Sequence, residues 1–342
     1  MKKELMEFSN KAVEYIFDGQ FGQLLTTMEK NKLVIVTDEN VFNHHKEKFE
    51  GLQIIRIKAG ETFKQQSTVD DIVNQLLELQ ADKQTVLVGV GGGVVTDITG
   101  YVASIYKRGI KLVLVPTTIL CMVDASVGGK NGVDVGAYKN MVGTVYQPDT
   151  LLFDYSFLST LPREEWVNGF AEIIKHACIK DADFFAFLQS KTIADFQQDS
   201  VLLAQIIEKN VSIKTAVVLA DEFETGDRKL LNFGHTIGHA IENTYQLPHG
   251  HAVSIGMVAA ATLSIHLKQL PDSEKQKIVD LLQQYDLPVS FNYDKEAIWK
   301  VLILDKKRSN DTMGFVLLQA VGDAVVTPIP LVQLKTLIDH CL

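Results

Sequence analysis

Short runs of β-branched and apolar residues, each closed by turn residues, punctuate the first half of the chain. KLVIVTDE from Lys32, LQIIRIKAG from Leu52, TVLVGVGGG from Thr85 and IKLVLVPTT from Ile110 read as buried strands. Between the second and third, Val69, Ile72, Val73, Leu76 and Leu77 fall on one face at helical spacing. Alternating strand and helix predicts an α/β layer with a mostly parallel sheet, a fold that binds ligands at the carboxyl ends of its strands. Further along, Phe170–Ile179, Val201–Ala220, Thr236–Tyr245, His251–His266 and Ser273–Tyr285 predict helices, the last capped by Asp272 or Ser273. FVLLQAVGDAVVTPI, from Phe315, adds a small hairpin. Pro162 and the small polar residues of DYSFLSTLPREE, from Asp154, break the pattern. The expected division is an α/β domain over residues 1–160 and a mostly α-helical domain over 161–342.

Composition narrows the class. A chain of 342 residues is long for one core. A net charge of −9 argues against a nucleic-acid binder of the usual basic kind, although a local cationic cleft can still take an anionic substrate. The three cysteines, Cys121, Cys178 and Cys341, are scattered and form no C-x-x-C pair, which fits a reducing cytoplasm. The opening MKKELMEFSN lacks the apolar core of a signal peptide. The longest apolar run, Ala252 to Ile265, is too short to span a bilayer. The expectation is a soluble cytoplasmic protein that binds neither membrane nor nucleic acid.

Four stretches carry candidate chemistry. VGVGGGVVTDITG, from Val88, runs from strand through glycines into a helix, where backbone N–H groups can approach a phosphate. Its spacing is not G-x-G-x-x-G, so a tight turn is the bland alternative. Asp97 there could hold a hydroxyl or cap the helix. VPTTILCMVDASVGGKNGVDVGAYKNMVGTVYQP, from Val115, sets Thr117, Thr118, Asp124, Lys130, Lys139 and Asn140 among glycines in what reads as a long structured loop, suited to a multiply charged small anion. GFAEIIKHACI, from Gly169, places Glu172 and Lys175 at i,i+3 on an apolar helix: either a surface ion pair or a buried carboxylate that wants a metal or a cation. LNFGHTIGHAIENTYQLPHGHAVSIGM, from Leu231, holds His235, His239, His249 and His251, four of the nine histidines. His235 and His239 at i,i+4 share a helix face and have a common two-ligand spacing. Two imidazoles with Glu172 would make a zinc shell with an open position; polar surface or capping residues are the alternative.

Together these stretches resemble the 3-dehydroquinate synthase family of the sugar-phosphate cyclase group, over nearly the whole chain. The likeness rests on TDEN (from Thr37), AGETFK (from Ala59), GVGGGVVTDITG, VPTTILCMVDASVGGK, KNMVGTVYQP, LPREEWVNGFAEIIKH, KTAVVLADEFETGDRKLLNFGHTIGHAIE and HGHAVSIGM. The resemblance implies NAD+ held by Asp38, Asn40, Glu61, Lys64, Gly92, Gly93, Asp97, Thr117, Thr118, Asp124, Lys130 and Lys139. It implies a divalent ion, Zn2+ or alternatively Co2+, on Glu172, His235 and His249. It implies a substrate pocket of Asp124, Lys130, Lys139, Asn140, Lys175, Lys214, Arg228, Asn232 and His239, with Lys306 or Lys307 as a late substrate lysine. Lys130, Lys175, Arg228, Asn232, His239 and Asp124 are its expected catalytic set. Arg108 matches an arginine that reaches a neighbouring subunit, so a homodimer is implied. The implied reaction converts 3-deoxy-D-arabino-heptulosonate 7-phosphate to 3-dehydroquinate and phosphate. It proceeds by transient oxidation, elimination, reduction and aldol closure, in the shikimate route to aromatic amino acids.

Spacing and resemblance disagree on the metal pair. Spacing alone nominates His235 with His239; the resemblance nominates His235 with His249 and leaves His239 to the substrate. His251 stands where most of the family carries glutamate, and Phe223 where a basic residue is usual. If the second helix begins near His249, His251 points about 200° away from it and cannot share its metal. The rival readings are a cyclase for sedoheptulose 7-phosphate or glucose 6-phosphate, a metal-dependent polyol dehydrogenase, and a non-catalytic binding module.

Overall fold

A computed structural model describes all residues except 137, 225, 268, 269, 304–307, 310 and 342, with backbone only at 308 and 309. The chain divides into two compact units. Unit 1 comprises Met1–Glu165 and Ala204–Thr215; unit 2 comprises Trp166–Leu203 and Ala216–Leu342.

Unit 1 runs β1 (Lys2–Glu7), β2 (Ala12–Phe17), α1 (Phe21–Thr27), β3 (Leu33–Asp38), α2 (Glu39–His44), β4 (Gln53–Ile57), α3 (Gln66–Glu78), β5 (Val86–Gly91), α4 (Gly93–Ile105), β6 (Lys111–Pro116), β7 (Lys130–Val135), β8 (Tyr138–Val145) and β9 (Thr150–Phe153). Seven strands form one sheet in the order β1-β2-β9-β6-β5-β3-β4. Only the β1–β2 pair is antiparallel, so the sheet is mostly parallel. Its central strands are apolar on both faces because helices cover both. Leu33, Ile35, Val88, Val90, Val113 and Val115 are buried in its core. Strands β3, β5 and β6 end in register, with Thr37 opposite Val90 and Gly91 opposite Pro116. That shared carboxyl edge delivers Asp38, Gly92 and Thr117 to one end of the sheet.

The stretch expected as a long loop after β6 is more ordered than that. A π-helical turn spans Cys121–Ala125, and β7 and β8 pair as an antiparallel hairpin. Lys130 therefore opens a strand, and Lys139 and Asn140 lie on one. Glycines permit the tight pairing: a Cβ on Gly143 would lie 2.0 Å from the Asn131 carbonyl oxygen.

Unit 2 begins within α5 (Arg163–Lys180). It continues through α6 (Ala182–Gln189), α7 (Ile193–Gln198), the ends of α8 (Ser200–Ala220), α9 (His235–Tyr245), α10 (His249–His266), α11 (Asp272–Gln284), α12 (Lys295–Leu302), β10 (Arg308–Ser309), β11 (Thr312–Ala320), β12 (Asp323–Pro330) and α13 (Leu331–Cys341). The expected late hairpin is β11–β12. Asp272 is the first residue of α11 rather than its cap; Pro271, whose fixed φ suits entry into a helix, takes the cap position. Phe170 on α5 stacks on Tyr285 at 4.7 Å between ring centres and meets Phe196 at 5.5 Å. Helices α9 and α10 cross at glycines: a Cβ on Gly256 would sit 1.9 Å from the Gly234 carbonyl oxygen, and one on Gly238 2.9 Å from that of Ala252. Only that close approach lets residues at the starts of both helices reach the same buried point. Among the described residues no helix is long and apolar enough to cross a membrane.

Candidate metal centre and dinucleotide cradle

In unit 2, Glu172 lies within the apolar face of α5, with its side chain fully buried and Lys175 one turn on equally deep. The surface ion-pair reading of these two is excluded by that depth. Burial pushes the Glu172 carboxyl up, but Lys175 and His235 outweigh it and hold it well below the usual carboxylate range. Glu172 is therefore a buried carboxylate kept ionised chiefly by the ammonium group of Lys175.

Two imidazoles face its Oε1: His235 Nε2 at 3.3 Å and His249 Nε2 at 3.0 Å. His235 is the first residue of α9, and its Nδ1 lies 3.0 Å from the Phe233 carbonyl oxygen, which fixes that nitrogen as the donor. Burial pulls His235 below the ordinary imidazole range against the opposing pull of Glu172. His249 is the first residue of α10, and its Nδ1 lies 3.3 Å from Glu242 Oε2. Burial would lower its pKa as well, but carboxylates at both ring nitrogens raise it to about 10. One ligand atom from each of Glu172, His235 and His249 falls within 4.8 Å of the others, a two-imidazole, one-carboxylate set suited to a divalent ion.

The histidine pair chosen by i,i+4 spacing is not the pair that meets Glu172. The His239 ring packs edge-on against His235 at 4.9 Å, and it belongs instead to a second candidate set with Glu242 and His249. His251 joins neither set, because α10 is already helical at His249 and carries it to another face. Nearby in the chain, Arg228 is buried, donates from Nη1 to the Glu222 carbonyl oxygen, and donates its backbone N–H to Asp221 at 3.1 Å. Asn232 donates to Glu224 Oε1 at 2.8 Å. Neither Glu224 nor Glu242 stood out in the sequence, where each was one acidic residue among 42. Lys306 lies outside the described residues.

In unit 1, helix α4 opens at Gly92 with no side chain capping its first N–H groups. A Cβ on Gly92 would crowd Thr118 at 3.1 Å. The hydroxyls of Thr117 and of Thr37 are buried at the same sheet edge without a hydrogen-bond partner. Orphaned hydroxyls beside an uncapped helix start fit a phosphate-bearing ligand. Asp38 caps α2 through one carboxylate oxygen, which accepts from the N–H groups of Asn40 at 2.8 Å and Val41 at 3.0 Å. Asp97 does not cap α4. It sits one turn inside and pairs with Lys64 at 2.5 Å, and Lys64 also donates to Asn140 at 2.7 Å. Burial would lower the Lys64 pKa, but Asp97 and Glu61 raise it above the ordinary value. Lys139 lies 3.8 Å from Glu61, and Lys214 on α8 pairs with Asp124 and donates to its carbonyl oxygen at 2.6 Å. Lys130 and Arg108 are exposed; Arg108 sits with φ of 61° at a strained turn between α4 and β6.

A mostly parallel α/β unit with a glycine-opened helix and a helical unit with a buried carboxylate and two histidines mark the sugar-phosphate cyclase architecture. A 2-deoxy-scyllo-inosose synthase solved with carbaglucose-6-phosphate, NAD+ and Co2+ is 25% identical, with a TM-score of 0.83 over 100% of both chains. The 2-epi-5-epi-valiolone synthase of Streptomyces hygroscopicus, solved with NAD+ and Zn2+, is also 25% identical, with a TM-score of 0.86 over 97% of each. Residues 54–168 match the family model for the N-terminal part of 3-dehydroquinate synthase, and residues 169–308 that for its C-terminal part. The 3-dehydroquinate synthase of Campylobacter concisus is 39% identical over 307 residues, 87% of this chain and 88% of that one. This chain belongs to the 3-dehydroquinate synthase family.

Proposed function

We propose that the protein converts 3-deoxy-D-arabino-heptulosonate 7-phosphate to 3-dehydroquinate and inorganic phosphate, as a phosphate-eliminating carbon–oxygen lyase. The observation that carries this reading is the convergence of Glu172, His235 and His249 on one buried point in a chain of this family. When bound, a divalent ion supplies Lewis acidity at a substrate alcohol, and NAD+ a reversible hydride acceptor. Glu172, His235 and His249 hold the ion; Asp38, Asn40, Glu61, Gly92, Gly93, Asp97, Thr117 and Thr118 form the dinucleotide cradle. Lys64 ties Asp97 to Asn140 and so links the cradle to the β7–β8 hairpin.

The remaining residues act on the substrate. Lys130, Lys139, Lys175, Lys214 and Arg228 answer its carboxylate and phosphate, which explains how a chain of net charge −9 takes a trianionic sugar acid. Asn232, His239 and Asp124 orient its hydroxyls. The substrate alcohol is oxidised, the new ketone acidifies the neighbouring C–H, and phosphate leaves. The ketone is then reduced, the ring opens, and an intramolecular aldol step closes the carbocycle.

We also read the protein as a homodimer. The β7–β8 hairpin leaves Val135, Tyr138, Met141, Val142 and Val145 between 40% and 56% exposed, apolar side chains on both sides of a two-stranded ribbon that call for a partner. Sedimentation velocity of the purified chain tests this, and a monomer at assay concentration removes it. The function itself is tested by phosphate release from the heptulosonate phosphate, with NAD+ and Zn2+, beside sedoheptulose 7-phosphate and glucose 6-phosphate. Release from either of the latter alone assigns the chain to another cyclase.

A further inference from the structure

We propose that Glu242 is a positioning residue for the metal centre, acting through the Nδ1–H of His249. The proposal rests on the reading of Glu172, His235 and His249 as the ligand set.

His235, His239 and Glu242 follow one another at i, i+4 and i+7 along α9, so they share a face of that helix. Glu242 is 3% exposed, and a carboxylate at that depth is retained only where something compensates it. Its Oε2 lies 3.3 Å from His249 Nδ1, while the opposite nitrogen of the same ring lies 3.0 Å from Glu172. The two ligand histidines are thus held differently. His235 is nearly enclosed and its Nδ1 is fixed by a backbone carbonyl. The side chain of His249 is 27% exposed, and the ring hangs from the first residue of its helix, where no preceding turn packs against it. A carboxylate at Nδ1 sets the tautomer, stops the ring from turning, and makes Nε2 a stronger donor to a cation.

Glu242 also belongs to a second set, with His239 and His249, whose ligand atoms lie within 4.8 Å of one another. A second ion there would take His249 through Nδ1 while the first takes Nε2, which requires an imidazole stripped of both protons. A hydrogen bond from Nδ1–H to the carboxylate needs no such deprotonation, so the geometry points to Glu242 as a partner of the ring and not a ligand.

The test uses the full chain and its Glu242→Ala and Glu242→Gln variants, with folding checked by circular dichroism. Zn2+ affinity is measured by competition with a chromophoric chelator, and the Co2+ visible spectrum reports ligand geometry. Glu242→Ala is expected to bind one ion per chain with affinity about 10–100-fold lower and a shifted Co2+ band. Glu242→Gln keeps an acceptor but not the charge, so its loss is expected to be smaller, about 3–10-fold. Unchanged affinity and an unchanged Co2+ band in a folded Glu242→Ala overturn the proposal, as they do in Glu242→Gln if the alanine variant does not fold. Two ions per unaltered chain, one of them lost in Glu242→Ala, also overturn it. No ion bound by the unaltered chain would overturn the functional reading itself, and this proposal with it.

Discussion

His249 Nε2 lies 3.0 Å from Glu172 Oε1, although 77 positions separate the two residues. That contact sets His249, and not His239, beside the buried carboxylate with His235. Metal analysis of three purified variants checks it. His249→Ala is expected to lose bound zinc and activity. His239→Ala is expected to keep zinc and lose activity, because its ring flanks the ligand set without joining it. His251→Glu is expected to keep both. Zinc retained in His249→Ala but lost in His251→Glu would reverse the assignment.

The reasons for legibility differ along the chain. Strands β3, β5 and β6 were readable because a doubly covered parallel strand is an uninterrupted apolar run. Helix α5 starts at Arg163, well before the apolar pattern, because its first turn is charged and solvated. The β7–β8 hairpin was hidden: β8 is exposed along nearly its whole length, so no alternation marks it. Helix periodicity nominated His239, since it sees only neighbours on one helix. The pair that meets Glu172 spans the crossing of α9 and α10, which depends on glycine contacts no period encodes. The family motifs supplied that pairing instead. The roles of Glu224 and Glu242 depend on depth and partner, which a single acidic letter does not reveal.

Arg228 and Lys130 are proposed to answer substrate anions from different settings. Arg228 is 3% exposed and anchored at Glu222, whereas Lys130 is exposed at the start of β7. Arg228→Ala is expected to lose about 2–5 kcal/mol of transition-state stabilisation, read from kcat/KM, and Lys130→Ala less, with circular dichroism checking that each variant is folded. Arg228→Ala should suffer more, because a desolvated guanidinium holds an anion more strongly than a solvated ammonium. Near-normal kcat/KM in both variants removes them from the site.

The Lys64–Asp97 pair predicts a pH dependence of stability. Lys64 has a folded pKa above its ordinary value of 10.5. A cation with a raised pKa stabilises the fold fully below its unfolded pKa and loses that contribution as pH rises through the folded value. Urea midpoints should therefore fall more for the unaltered chain than for Lys64→Met as pH rises above the ordinary lysine value of 10.5. At about pH 8, Lys64→Met is expected to be less stable by about 3 kcal/mol, since Asp97 loses the cation that pairs with it. Parallel pH profiles for the two proteins would count against the pair as a source of stability.

Cofactor accounting separates the proposed reaction from a polyol dehydrogenase built on the same fold. In the proposed sequence the substrate alcohol is oxidised and the same carbon is later reduced, so NAD+ is regenerated in every turnover. Catalytic NAD+ should then sustain many turnovers of phosphate release. A trace at the NADH absorbance should stay flat after any initial burst no larger than the enzyme concentration. Arg228→Ala should lower the phosphate rate without making the trace rise, because that residue is placed on the substrate and not on the cofactor. A dehydrogenase gives the opposite pattern: NADH accumulates in step with substrate consumed, and phosphate stays on the sugar. Stoichiometric NADH during turnover would replace the cyclase reading with that one, while leaving the Glu172, His235 and His249 ligand set to stand on the metal analysis alone.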